Sequence, residues 1–502
     1  MMSPLLLLVL LIACCGCALV WVRGRRARTM LAALPTFPQL PLLGNLHQFY
    51  GDRRFLFKII EKICKTIEKT GLPFIFWFGP SPTIMLYDPE DVKAVTNSFV
   101  EKPYLYSFGR VWLGDGLVTS DGAIWKKSIK KLAGTFSTSV VDGYQEIFDE
   151  QARRLVARLQ TRVGEEPFDC MHDLALATLE AICQTALGVA RISDGIVTEE
   201  YYQAFNRALE LLVSRGLNLF YHPDFVYKLT PAHKEMMKKV AVLHNVSNQI
   251  MRKRMKEREE NKMNNASNLS VTENSGRTRF TSFLDILLEL QDTDPSLTPR
   301  QIRSEVDTII VGGQETVATT LFYTLLMIGN NTDVQEKLYA EMRDIFGDSS
   351  RPVTKEDLSR MAYCEAVLCE TLRLFPPVPG IMRLADRDLQ ISSCMIPAGT
   401  FVCVCAWGAG RSARAWGADA AEFRPERWLR GGAPPHPAAF LAFSYGRRAC
   451  IGKKYAMAIM KTSLAHCVRE LQFKSEADKL ELAYELALRP ASGHLIQVVL
   501  RE

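Results

Sequence analysis

The 502-residue chain predicts a mainly α-helical fold built on one large domain. Apolar residues recur at spacings of three and four through much of the chain, which is the period of an amphipathic helix. Short runs rich in β-branched and aromatic residues occur mainly near the two ends, so strands form a minor, peripheral set. From residue 46 onward no shift in composition is sharp enough to divide the chain. We therefore expect a large helical body with a smaller β-rich N-terminal region.

Eight segments carry the helical period, namely residues 143–162, 171–190, 198–216, 233–258, 281–292, 298–330, 332–346 and 361–374. The extended candidates are PFIFWFG at 73–79, SPTIMLY at 81–87, FVCVCAWG at 401–408 and LIQVVL at 495–500. Residues 256–279 are polar and almost free of aliphatic side chains, which predicts a surface loop between two helices.

The first 22 residues predict a transmembrane helix that precedes the domain. Pro4 to Val22 has no charge over 19 residues, which as a helix reaches about 28 Å. Four arginines follow within residues 23–28, whereas a cleaved signal peptide, the alternative, carries its positive charges first. A basic flank on this side keeps it cytoplasmic. We expect an anchor at 1–22, a basic and proline-rich linker at 23–45 and a single domain at 46–502.

Charge and cysteine content exclude several classes of protein. The formal net charge of +6 is too small to indicate a nucleic-acid partner. Thirteen cysteines without regular spacing argue against a disulfide scaffold and for a reducing compartment. Zinc-finger spacing is absent from the sequence.

One cysteine lies in a distinctive setting, the run FSYGRRACIG at residues 443–452. Gly446 and Gly452 permit a tight loop around Cys450. Arg447 and Arg448 lie in this loop beside Cys450, where positive charge favours a thiolate. A single thiolate cannot complete a tetrahedral zinc site, so the other metal ligands come from a cofactor, for which haem is the natural candidate. The alternative is a buried structural cysteine beside a basic turn.

The pattern formed by Phe443, Gly446, Arg448, Cys450 and Gly452 resembles the haem-binding loop of the cytochrome P450 superfamily. The resemblance implies the cytochrome P450 fold, a bound haem b contacted by this loop, and Cys450 as the axial thiolate ligand of the iron. Within the superfamily, the loop and the run WLGDGLVTSDGAIW look most like the clan (family 4) of fatty-acid hydroxylases and its insect members.

The run DTIIVGGQETVATTL at 307–321 resembles the distal helix of that family. Two adjacent glycines in a helix cost about 1 kcal/mol each, which suits a helix passing close to a flat group, so Gly313 is expected to contact the cofactor. Glu315 and Thr316 match the acid–threonine pair that delivers protons during oxygen activation. Many members of the clan have a glutamate, esterified to haem, where this chain has Gly312, so covalent attachment is not expected. A loosely packed helix with a buried threonine is the alternative.

Three further residues match a structural cluster of the family. Glu370 and Arg373 are spaced to pair on one helix face, and Arg427 in FRPERW matches the arginine that joins them from a later loop. The resemblance implies that this triad supports the thiolate loop.

Haem carboxylates are expected to meet Arg383 and Trp125. Arg383 follows a proline-rich turn, and a planar cation is well matched to a carboxylate, although a plain surface arginine is the alternative. The indole N–H of Trp125 matches a propionate donor. Four residues later many members have an arginine, whereas this chain has Ile129, so that contact is either lost or taken by Lys126 or Lys130.

Basic residues flank both motifs. They are Lys126, Lys127, Lys130, Lys131, Arg447, Lys453 and Lys454. Together they could form a positive face that attracts an acidic electron donor, or simply a solvated surface.

The resemblance implies a monooxygenase that inserts one atom of O2 into an apolar small molecule such as a fatty acid, a terpenoid or hormone, an odorant or a xenobiotic. Electrons would come from NADPH through cytochrome P450 reductase, with cytochrome b5 as a further donor, at the cytosolic face of the endoplasmic reticulum. The pocket is expected to include Val311, Val317, Val378 and Ile381. The rivals are a reductase-independent haem-thiolate isomerase or dehydratase, against which Thr316 argues, and a non-enzymatic haem sensor or electron carrier.

Overall fold

A computed structural model describes residues 24–40, 43–79, 81–188, 198–267, 280–429, 434–485 and 487–501. The predicted anchor at 1–22 lies outside the described residues. Among the helices that are described, none has both the length and the apolarity needed to cross a bilayer.

Helices make up most of the described chain, as expected. They are α1 (24–30), α2 (Arg53–Thr70), α3 (Pro89–Ser98), α4 (Arg110–Leu113), α5 (Gly122–Leu132), α6 (Thr138–Asp142), α7 (Gln145–Gln160), α8 (Met171–Leu187), α9 (Glu199–Leu217), α10 (Asp224–Lys228), α11 (Pro231–Ser267), α12 (Phe283–Thr293), α13 (Pro299–Asn330), α14 (Thr332–Phe346), α15 (Lys355–Arg360), α16 (Ala362–Leu374), α17 (Ala406–Ala409), α18 (Ala413–Trp416) and α19 (Lys453–Glu470).

The strands are β1 (Phe74–Phe78), β2 (Ser81–Leu86), β3 (Ile381–Leu384), β4 (Leu389–Gln390), β5 (Met395–Ile396), β6 (Phe401–Val404), β7 (Leu471–Ser475), β8 (Glu481–Tyr484), β9 (Leu488–Ser492) and β10 (Ile496–Leu500). The largest sheet has the order β1-β2-β6-β3, in which only the β2–β6 pair is parallel. The pairs β10–β7, β4–β5 and β8–β9 are antiparallel ribbons. The β-rich region is therefore not purely N-terminal, because β3 and β6 come from the second half of the chain.

All eight predicted helical segments are confirmed, as α7, α8, α9, α11, α12, α13, α14 and α16, and the four extended runs contain β1, β2, β6 and β10. The prediction of a loop is wrong for residues 256–267, because α11 continues to Ser267, while 268–279 lie outside the described residues. Its charged residues are good helix formers, and Lys256 pairs with Glu260 one turn later at 3.6 Å. A polar surface helix has no apolar stripe to reveal it.

The long helix α13 runs through the core, with buried side chains from Ile302 to Ile328. It packs against α8, α16 and α19. A helix that is apolar on most sides is buried on most sides. The Cys450 loop directly precedes α19, so the two predicted motifs belong to two helices in contact.

Candidate cofactor site

The Cys450 loop is closed by its own backbone. The amide of Cys450 donates to the carbonyl of Phe443 over 2.8 Å. Two residues take left-handed conformations, Ser444 at φ 60° and Gly446 at φ 72°. A Cβ on Gly446 would lie 2.7 Å from the carbonyl oxygen of Thr96 in α3, so only glycine lets the loop press against that helix.

Cys450 is the one exposed cysteine among those described, which argues against a buried structural role. Although the side chain is accessible, the protein atoms packed around it reduce its solvation and so raise the pKa of its thiol, while the Gly452 amide and the charge of Lys453 lower it. The expectation that Arg447 and Arg448 favour the thiolate is corrected, because neither acts on the thiol and loss of solvation prevails. A bound metal ion would supply the positive charge that stabilises the thiolate, since a coordinating thiol is deprotonated outright.

Three positive side chains come together beside the loop, and we call Lys102, Arg383 and Arg448 the cation cluster. Arg383 is fully buried, yet only its Nη1 has a partner, the carbonyl of Met382 at 3.0 Å. Its Nε and Nη2 atoms find no hydrogen-bond partner within the described part of the chain.

Arg448 and Lys102 are held by backbone carbonyls of one segment. Arg448 donates to Leu117 at 3.3 Å and Ser120 at 3.0 Å, and its Nε has no partner among the described residues. Lys102 donates to the carbonyl of Val118 at 2.6 Å.

The positive charges of the cation cluster repel one another. Burial first, and then Arg383, lowers the pKa of Arg448 to about 10. The pKa of Lys102 is lowered well below its usual value by burial, then by Arg448 and Arg383. Buried donors without acceptors and cations without anions are costly, so the cluster fits a ligand that carries carboxylates. Haem, with two carboxylates and an iron for Cys450, fits this donor set.

Trp125 belongs to the same site, because the guanidinium of Arg448 lies over its buried ring at 4.8 Å. Ile129 is half-buried one turn later on α5. Lys130 is exposed, and no hydrogen bond joins it to the cation cluster within the described residues, so its role stays a prediction. Lys102, which sequence reasoning missed, is the lysine placed with the arginines.

Glu370 has every acceptor position occupied. Arg373 donates to both of its oxygens at 2.7 Å, and Arg427 adds a bond of 2.8 Å. The indole of Trp428 and the amide of Arg424 complete the set at 2.9 and 2.8 Å. The structure thus brings the three predicted residues together in the interior. Further bonds from Arg373 to the carbonyls of Ala420 and Glu422 show how the cluster supports the chain leading to the Cys450 loop.

The adjacent glycines of α13 have different surroundings. A Cβ on Gly312 would meet nothing within 4 Å, whereas one on Gly313 would lie 2.7 Å from Ile182 of α8. The expectation that Gly313 contacts the cofactor stays a prediction, and close packing of α13 against α8 is a second reason for a glycine at this position. Gly312 borders the open space, and the hydroxyl of Thr316 donates to its carbonyl over 2.6 Å.

Glu315 is buried and forms an ion pair with Arg489 of β9. Burial raises the pKa of its carboxyl and the nearby Glu485 adds to this, while Arg489 lowers it. Sequence reasoning missed Arg489, because nothing near residue 489 marks it as a partner of a residue 174 positions earlier.

The predicted pocket residues divide by burial. Val311 and Ile381 are half-buried and Val378 is 36% exposed, as the wall of an open space requires. Val317 is only 1% exposed and belongs to the packed core, so its assignment to the pocket is corrected.

The predicted basic face is largely available to solvent. Its exposed members are Lys126, Lys127, Lys130, Arg447, Lys453 and Lys454. Lys131 instead ties α5 to the segment before α13, through Asp294 at 2.6 Å and Ser296 at 2.8 Å.

Comparisons with known proteins cover nearly the whole chain. The sequence model of the family described as Cytochrome P450 matches residues 34–498. Cytochrome P450 4V2 of Homo sapiens is 33% identical over 91% of this chain and 88% of its own length. Cytochrome P450 4c21 of Blattella germanica is 31% identical over 95% of both chains, and Cytochrome P450 4c3 of Drosophila melanogaster is 30% identical over 96% of this chain and 92% of its own. The matched region includes α13, α16 and the Cys450 loop.

Proposed function

This chain belongs to the cytochrome P450 family of haem-dependent monooxygenases, and we propose that it inserts one atom of O2 into an apolar small molecule using electrons delivered from NADPH by a reductase. The observation that carries the proposal is one exposed cysteine in a closed loop beside buried cations whose N–H groups have no partner.

The residues present fit a haem with a thiolate axial ligand, as the family implies. Cys450 would bind the iron, and Arg383, Arg448, Lys102 and Trp125 would receive the two carboxylates. When bound, the haem supplies oxygen activation, which electron density from the thiolate favours. Gly312 carries no carboxylate, so we propose that no covalent link forms through α13.

Thr316 and Glu315 are proposed to move protons on the distal side. The Thr316 hydroxyl donates a hydrogen bond to the Gly312 carbonyl, which leaves the lone pairs of Oγ1 free to accept from water. A carboxyl with a raised pKa holds a proton nearer to neutral pH, as a general acid must. Arg489 restrains the Glu315 side chain, so the pair controls when that proton is available.

We propose that the substrate is apolar, because Val311, Val378 and Ile381 present partly exposed aliphatic groups. Fatty acids, terpenoid hormones, odorants and xenobiotics all meet this condition.

A membrane location is part of the proposal. Three large apolar side chains between α9 and α11 are highly exposed, Phe220 at 83%, Phe225 at 73% and Leu229 at 81%. Together with the predicted anchor at 1–22, they support a face resting on the cytosolic leaflet of the endoplasmic reticulum. The basic residues around Arg447 would receive the reductase or cytochrome b5 on another side.

The reduced carbon monoxide spectrum of the purified protein tests the ligand. We expect the thiolate-type Soret band, its loss in Cys450→Ala, and its retention in Cys394→Ala, a half-buried control. NADPH-dependent oxygen consumption and product screening with purified reductase then test the reaction. Turnover that proceeds without reductase or NADPH would identify the isomerase instead.

A further inference from the structure

The segment Gly114–Ser120 forms the wall between α13 and the cation cluster. Its two glycines lie directly on α13, since a Cβ on Gly114 would collide with the hydroxyl of Ser304 and one on Gly116 with that of Thr308. Gly114 also has φ 52°, which other residues rarely adopt. On the opposite side, the carbonyls of this segment are the groups that hold Arg448 and Lys102.

A buried carboxylate fixes this wall to α13. Glu305 is 1% exposed, and its Oε2 accepts the amide of Leu117 over 2.9 Å. Its Oε1 accepts from the side chain of Gln301 over 2.7 Å, and the nearby hydroxyl of Ser128 on α5 also lowers the pKa of the carboxyl. Gln301 reinforces the attachment by donating to the carbonyl of Asp115 at 3.1 Å.

Leu117 is thus held at both ends. Its N–H bonds to Glu305 on the side of α13, and its carbonyl accepts from Arg448 on the side of the cation cluster. Only one residue separates the buried carboxylate from a guanidinium that, on the proposed function, receives a haem carboxylate.

We propose that Glu305 is a positioning residue for the haem carboxylates: ionised, it holds the Gly114–Ser120 segment in place, and the segment in turn holds Arg448 and Lys102. This inference rests on the proposed function and adds to it a residue that touches neither haem nor substrate.

The protonation state of Glu305 gives the inference a pH signature. Burial raises the pKa of Glu305 to about 7, against the hydrogen bonds from Leu117, Gln301 and Ser128. These are the groups that face the carboxyl from the segment, from α13 itself and from α5, and all three are neutral. Release of the segment that leaves Glu305 buried removes the Leu117 hydrogen bond, which lowers the pKa of Glu305, so that pKa is higher in the released state than in the held state. By linkage, the segment is held best above pH 7 and less well as pH falls through that value.

The experiment measures the rate of haem transfer from the haem-loaded protein to excess apomyoglobin between pH 6 and 8.5. For the wild type we expect transfer about fivefold faster at pH 6 than at pH 8.5, which corresponds to the difference of about 1 kcal/mol between a charged and a neutral hydrogen bond. Glu305→Gln keeps an acceptor for Leu117 but cannot ionise, so it should show the fast rate at every pH. The amide protection factors of residues 114–120 in the same haem-loaded proteins, which correct for the intrinsic pH dependence of exchange, should fall in parallel.

Asp307→Asn is the matched control. Asp307 lies two residues further along α13, is also buried, and has its pKa raised by burial to about 7. It faces Ser247 at 2.6 Å and His244 at 3.6 Å on α11, away from the segment. Asp307→Asn should therefore keep the pH dependence of haem transfer that Glu305→Gln loses.

The inference is overturned if Glu305→Gln retains the wild-type pH profile, or if Asp307→Asn abolishes it equally. Failure of the proposed function is distinguishable, because the wild type itself would then lack a Cys450-dependent carbon monoxide spectrum.

Discussion

Two clusters of charge lie inside this protein, and they differ in whether they are complete. Around Glu370, two arginines, an indole and a backbone amide satisfy one carboxylate. In the cation cluster, Arg383 and Arg448 keep N–H groups without acceptors and no carboxylate lies between them within the described chain. Buried polar groups are normally paired. The complete cluster around Glu370 therefore stabilises the fold, whereas the incomplete cation cluster is suited to bind an anionic ligand.

The same difference appears in how charge and burial combine. Glu370 and Arg373 are both entirely inaccessible, and each compensates the other. In the cation cluster, burial lowers the pKa of all three basic side chains, because the nearby carboxylates, Glu101 and Asp121 beside Arg448, offset only part of the loss of solvation. Binding of a dianionic group would raise the pKa of these three side chains again.

The largest effect is expected from breaking the complete cluster. Glu370→Gln leaves Arg373 buried without an anion and Arg427 with only the more distant Asp419 at 3.4 Å, which should lower the free energy of unfolding by about 3–5 kcal/mol in urea titrations. Arg424→Ala is the control, since Arg424 is 52% exposed in its pair with Asp419 and should cost less than about 1 kcal/mol. Equal losses in the two variants would contradict the importance assigned to Glu370.

Removing a member of the cation cluster should weaken haem binding without lowering the stability of the haem-free protein. Arg383→Met replaces a buried cation by an apolar chain of similar length, so the haem-free protein should keep or gain stability. Haem affinity should fall at least about tenfold, measured by absorbance titration, because a charge-assisted contact worth about 1.5–3 kcal/mol is lost. The exposed Arg387→Met is the control and should change neither. A haem-free Arg383→Met protein that unfolds far more readily would show that Arg383 serves the fold instead.

The stability of the haem-free protein should also depend on pH through Lys102. Its pKa is lowered in the folded state, so between that value and the unfolded one the unfolded chain binds more protons. Stability therefore rises with pH across this window and is lost as pH falls through the folded pKa. Thermal unfolding from pH 7 to 10 measures the slope, which should be flatter in Lys102→Met. The slope should also be flatter in the haem-loaded wild type, where carboxylates favour the charged lysine; an unchanged slope in both cases would count against the cluster.

The smallest effect concerns the glycines of α13, where one position is open and the other is filled. Gly312→Ala should raise the free energy of unfolding of the haem-free protein by roughly 0.5–1 kcal/mol, because alanine is the better helix former and its Cβ meets nothing. Gly313→Ala gains the same propensity but collides with Ile182, so its net effect should be less favourable. Urea titration of both variants decides the order, and a Gly313→Ala protein as stable as Gly312→Ala would remove the packing explanation.

Local patterns predicted eight of the helices whose apolar face follows the helical period, but not α2, whose buried Leu56, Ile59 and Ile63 follow it as well. The helix α19 was not predicted, because its buried face includes Lys461, Thr462 and His466. Each has a partner from elsewhere, such as the carbonyl of Leu358 for Lys461 at 2.9 Å and Asp149 for His466 at 2.6 Å. Polar residues satisfied by distant groups erase the period on which such a prediction depends.

The site divides in the same way. Cys450 and its glycines form a short linear motif, so the sequence reveals them together. Lys102 and Arg489 act through partners that lie far along the chain or on the backbone, and their neighbours in sequence carry no sign of this. Gly313 shows the converse, because its residue type was informative while the neighbour that requires it was not.

By itself the sequence determined the helical fold class, because spacing along a chain and along a helix are properties of the chain alone. The thiolate loop and the Glu370–Arg373–Arg427 triad were predicted by the resemblance of short motifs in this sequence to those of the cytochrome P450 family. Only the tertiary structure decided which cations lie together without an anion, which glycine borders open space, and which carboxylate holds the wall beside Arg448. Solvation and pairing depend on distances between remote segments, and those distances exist only after the chain has folded.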